Sequence, residues 1–117
     1  MNNKDFENIV NTQLDICKNI LCDKSKEYDF GKDRLRSFKV ASKLLNNNPK
    51  EALLGYLTKH IISIYDMVPE SKNFTYDKFE EKITDAINYL LLLKGLLYEE
   101  KFSDTESPFD KIVNFKG

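Results

Sequence analysis

Apolar residues along the chain return every three or four positions in four stretches, and no stretch alternates as a strand would. The first covers residues 4–21, where Phe6, Ile9, Val10, Leu14, Cys17, Ile20 and Leu21 make one stripe, with Gln13 set into it. The second covers residues 32–45, with Leu35, Phe38, Ala41, Leu44 and Leu45 inward and Arg36, Lys39 and Lys43 outward. The third runs over residues 49–67 and the fourth over residues 76–100.

The punctuation between them supports this division. Asn48 suits an N-cap, Pro49 the first helical position and Glu51 the third, the arrangement of a capping box. Pro69 follows the third helix as a terminator. Thr75 suits a second N-cap, and Phe74 and Phe79 are placed to form a hydrophobic staple around it. Gly31 marks a break before the second helix. The pattern predicts an all-α fold, an antiparallel four-helix bundle with short connections, over residues 1–102. A polar tail, residues 103–117, ends in Phe109, Ile112, Val113 and Phe115, which suggests docking on the bundle or on a neighbouring subunit.

The fourth helix carries the main anomaly. It begins charged and turns apolar nearly all round between Ala86 and Leu97. Only one stripe of a helix can face the core of a small bundle, so this predicts a homo-oligomer built on that helix. The longest apolar run is broken by Lys94 and is too short to span a bilayer.

The 117 residues suit a single domain, and 41% hydrophobic with 32% charged content is that of a folded chain. With 18 basic and 19 acidic residues the chain lacks the basic footprint of a nucleic-acid binder. Cys17 and Cys22 are not a CxxC pair, and one histidine is too few for a Cys/His zinc site. Reduced cysteines and an N-terminus without a signal-like apolar segment point to the cytoplasm.

Three groups could carry chemistry. On the fourth helix, Glu81, Asp85, Asn88 and Leu92 share a face, and Asp85 and Asn88 sit where the charge gives out. Like charges one turn apart call for a cation between them, a metal ion or a basic side chain. On the third helix, Lys59, Ser63 and Asp66 make a polar track, with His60 on the flank of the apolar face beside Leu53, Leu57 and Ile64. Lys59 could supply the cation that Asp85 needs, or meet a ligand phosphate. The third group is the mixed-charge segment around Gly31, with Glu27, Asp29 and Arg34. Arg34 lies on the side of Phe38 and Ala41, where a guanidinium suits a phosphate or a buried carboxylate. No P-loop spacing and no nucleophile triad are present.

Taken together, Lys26-Glu27-Tyr28-Asp29, Asp33-Arg34-Leu35-Arg36-Ser37-Phe38, Gly55 to Ile64, and Glu80 to Leu90 give the chain a resemblance to small helical phage and bacterial proteins related to MazG-type nucleotide pyrophosphohydrolases. It covers residues 24–97. The resemblance implies magnesium held by carboxylates on two helices, a nucleotide held by its phosphates, and an activated water attacking between them. It assigns Glu81 and Asp85 to the metal, though spaced ExxxD where the family has ExxD. Where the family has carboxylates on the third helix, this chain has Lys59, His60 and Ser63, so Glu27, Asp29 or Asp33 would have to complete the cage.

Three readings follow. A complete carboxylate set makes a hydrolase of a nucleotide phosphoanhydride. A pocket of Arg34, Lys59, His60, Ser63 and Asn88 makes a binder that holds a nucleotide without cleaving it, for instance a nucleotide-derived signal of host defence. The third reading is a structural or protein-interaction bundle whose polar residues fix register.

Overall fold

The structure, a computed structural model, describes residues 1–23 and 33–102. They form helix α1 (Asn3–Lys18), a π-helical turn (Asn19–Asp23), α2 (Arg36–Leu45), α3 (Pro49–Met67), a 3-10 turn (Val68–Asn73) and α4 (Tyr76–Phe102). No strand occurs among the described residues. The mixed-charge segment with Glu27, Asp29 and Gly31, and the C-terminal tail, lie outside the described residues.

The helix starts follow their caps. Asn2 opens α1, its side chain accepting from the Asp5 N–H at 2.8 Å. The capping box at α3 is complete: the Glu51 N–H donates to the Asn48 side chain at 2.9 Å, and the Glu51 carboxylate accepts from the Asn48 N–H at 3.3 Å. At α4 the Lys78 N–H donates to Thr75 Oγ1 at 3.2 Å. Phe74 and Phe79 meet edge to face at 6.1 Å, which makes the staple.

Two boundaries differ from the sequence pattern. The second helix begins at Arg36 rather than at residue 32. Asp33 causes this: its carboxylate accepts from the Leu35 N–H at 3.0 Å and its carbonyl from the Arg36 N–H at 3.2 Å, an Asx-type turn that holds the backbone out of the helix. Asn46, at φ 56°, ends the same helix in the left-handed conformation. The connection after Met67 is likewise a 3-10 turn rather than an irregular loop.

The core lies where α2, α3 and α4 meet. Leu35, Phe38, Leu53 and Leu96 are buried together, with Tyr89, Leu92 and Leu93 packed against them. Leu53 is fully enclosed, a burial that contributes about 1.5–3 kcal/mol. Two pairs fix the sense of α3 against α4: Lys50 meets Glu100 at one end and His60 meets Asp85 further along, so the two run antiparallel. Lys39 on α2 reaches Glu99 of α4 at 2.9 Å and also meets Asp33.

Helix α1 is attached more lightly. Gln13 Nε2 donates to Thr84 Oγ1 of α4 at 2.8 Å and lies 3.4 Å from the buried Cys17 sulfur. Towards its N-terminus the two helices leave a groove of about 520 Å³ between them, bounded by Phe6 and Val10 on α1 and by Phe79, Ile83 and Ile87 on α4. The apolar stripe of α1 is therefore only partly covered: Phe6 and Leu14 are each more than half exposed.

Candidate functional site

The antiparallel pairing of α3 and α4 sets two polar stripes face to face. On α3, Tyr56, Lys59, His60 and Ser63 fall at i, i+3, i+4 and i+7. On α4, Asp85, Asn88, Tyr89 and Leu92 follow the same spacing. Where the stripes meet, His60 Nδ1 lies 3.8 Å from Asp85 Oδ2. That is too long for a hydrogen bond, and the contact is an ion pair only when the imidazole is protonated. The imidazole lies over Tyr89, ring centres 5.1 Å apart. Tyr89 in turn runs parallel to Tyr56, at 6.2 Å and 7°. Phe38 of α2 closes the cluster, edge-on to both tyrosines at 6.2 and 6.3 Å.

The polar atoms here are unevenly satisfied. His60 Nδ1 and the Asn88 Oδ1 are buried and have no hydrogen-bond partner among the described residues. Asn88 as a whole is 6% exposed. A buried polar atom left unpaired costs about 1–3 kcal/mol, so the pair is an uncompensated expense unless another molecule meets it. Burial pushes the Tyr89 phenol above its ordinary range, with the Asp85 charge and then Tyr56 adding to the effect. The phenol therefore stays protonated and able to donate.

The basic side chain nearest Asp85 is thus His60, without a hydrogen bond between them. Of the cations the sequence left open for Asp85, Lys59 makes no ion pair with it: Lys59 is exposed, one position and about 100° around the helix from His60. Ser63 is half-buried on the same stripe. Glu81 is exposed and sits 3.8 Å from Lys78 on its own helix, a surface contact of little energetic weight. Arg34 is remote from the cluster: exposed, with its Nε donating to the Leu21 carbonyl at 3.5 Å, it ties the start of α2 to the end of the first helical segment. The structure therefore brings together His60, Asp85 and Tyr89, with Asn88 one turn along, and leaves Arg34 and Glu81 outside.

Among the described residues no three histidine, cysteine or carboxylate side chains gather into a group able to hold a cation. Glu81 and Asp85 alone are too few for a magnesium cage of protein ligands, and each is turned to a basic neighbour. Glu27 and Asp29 lie outside the described residues.

Tyr56 and Tyr89 were the site residues hardest to see in the sequence. Each reads as ordinary packing on its own, and only the antiparallel register of the two helices stacks one on the other. A sharper signal was Gln13, an amide inside an apolar stripe, which turned out to need Thr84.

No protein-family model, no curated protein and no solved structure matches the chain. No described helix is long and apolar enough to cross a membrane.

Proposed function

We propose that the chain is a ligand-binding helical bundle whose site is the α3/α4 face at His60, Asp85, Asn88 and Tyr89, and that its ligand is a nucleotide or nucleotide-derived molecule held without cleavage. The observation that carries this reading is two buried, unpartnered polar atoms: His60 Nδ1, whose ring lies against Tyr89, and Asn88 Oδ1, on the residue before Tyr89. Such atoms are a cost to an empty scaffold and an asset to a binder. The nucleotide class comes from the resemblance to MazG-type proteins. It suits the chemistry of the face: tyrosine rings for a base, an amide and an imidazole for its hydrogen-bonding edge, and the exposed Lys59 nearby for a phosphate.

Binding is favoured over hydrolysis because Asp85 faces His60 and no cation-holding set of side chains forms among the described residues. A cytoplasmic setting and the antiparallel four-helix arrangement belong to the same proposal.

The test is a panel of NTPs, dNTPs and cyclic dinucleotides, each with and without magnesium, followed by both thermal shift and product analysis. A stabilising shift without turnover is the expected result. Magnesium-dependent turnover abolished by Asp85→Asn would restore the hydrolase. No shift from any member would leave the interaction-module reading.

A further inference from the structure

Every seventh residue of α4 from Tyr76 onward is apolar: Tyr76, Ile83, Leu90 and Leu97. Their exposures are 70%, 41%, 52% and 39%. A straight helix drifts only about 20° per seven residues, so the four make one nearly axial ridge along a 27-residue helix. Helix α1 lies beside its first half, across the groove, and leaves it partly exposed. A seven-residue apolar repeat is the pattern by which one helix seats against another of like period.

The positions flanking this ridge identify the partner. Four residues after the first three ridge positions come Glu80, Ile87 and Lys94. Neither Glu80 nor Lys94 has an ion-pair partner among the described residues. When two copies of α4 are laid antiparallel about a two-fold axis at Ile87, Ile83 comes level with Leu91 and Tyr76 with Tyr98, each one residue, about 1.5 Å of rise, from the ridge residues Leu90 and Leu97. The same operation sets Glu80 of each copy opposite Lys94 of the other, twice over. The ridge is thus complementary to itself in shape and in charge, as a two-fold interface requires. Reversing the sign at one rim position would spoil both contacts.

The groove between α1 and α4 fits this arrangement. Its α4 wall is the first half of the ridge, Tyr76 and Ile83, and its α1 wall is Phe6 and Val10. Antiparallel pairing delivers Leu90 and Leu97 of the second copy to that wall. The light attachment of α1 then has a reason, since it leaves room for a side chain from across the axis.

We infer that the exposed ridge of α4, with the groove beside it, is the docking surface for a second copy of this chain, in an antiparallel α4–α4 pairing with reciprocal Glu80–Lys94 contacts. The inference stands apart from the ligand reading, because Asp85, Asn88 and Tyr89 occupy other faces of the helix.

Sedimentation of the full chain at micromolar concentration tests it. The expected species is twice the 13.7 kDa chain mass. Leu90→Glu should give a monomer with an unchanged helical circular dichroism spectrum. Glu80→Lys and Lys94→Glu should each weaken self-association by roughly tenfold, since each places two like-charged pairs across the axis. Mixing these two variants should restore association, because the mixed pair has opposite charges at both contacts, and so should combining them in one chain. The rim residues are not in the core, so their outcome does not hinge on folding. A monomeric wild type would overturn the inference, as would one that binds anionic vesicles instead of itself. A dimer indifferent to the charge reversals, or weakened and not restored by mixing, would overturn it equally.

Discussion

At the scale of single residues the decisive feature is an unpaid cost. Asn88 is buried on α4 with its carbonyl oxygen unpaired, and His60 of α3 has an unpaired ring nitrogen. If these atoms exist for a ligand, replacing Asn88 should separate stability from binding. Asn88→Leu, of similar volume and without polar atoms, should stabilise the unliganded protein by about 1 kcal/mol in urea denaturation while abolishing any nucleotide-induced thermal shift. A loss of stability would mean that the amide already holds the fold together.

Tyr89 offers a second handle. Its phenol is raised by burial first, then by Asp85 and Tyr56. The neutral form is the one the fold favours. The stability this brings is in place below the unfolded value, about 10, and is lost as pH rises through the folded value. Ultraviolet titration should find one tyrosine ionising later than the others, and Asp85→Asn should bring it back part of the way. Asp85 and Asn88 were legible in the sequence as polar residues at the mouth of an apolar run. Which basic side chain stands nearest Asp85 was not, because Lys59 and His60 are adjacent in sequence and about a hundred degrees apart around the helix.

At the scale of elements, local chemistry was the most readable part of the chain. The Asn48–Glu51 capping box, the Thr75 cap and the Phe74–Phe79 staple stand where the residue types put them, because each is made within one helical turn. The start of α2 was less readable, since Asp33 can serve either a helix or a turn, and here it took the Leu35 N–H. Gly55 is exposed in the middle of α3, and a Cβ built there meets nothing within 4 Å. Gly55→Ala should therefore raise stability by about 0.5–1 kcal/mol, measured by urea denaturation. A decrease would show that something else approaches that face of α3 closely.

At the scale of the whole molecule, the sequence carried the all-helical class and the excess of apolar surface on α4. It did not carry how the helices sit against one another, which rests on contacts as distant as Gln13 with Thr84 and Lys39 with Glu99. The two proposals would divide α4 between two tasks, the ridge for a second copy and the α3/α4 face for a ligand. Sedimentation of the Glu80 and Lys94 reversals tests the first.

The ligand site is the central claim, and NMR of the side chains tests it most directly. The Asn88 amide and the His60 and Tyr89 ring signals are followed as members of the nucleotide panel are added. The account predicts that at least one nucleotide shifts all three together, saturably and without turnover. Signals that stay still across the whole panel, or shifts confined to other parts of the molecule, would contradict it.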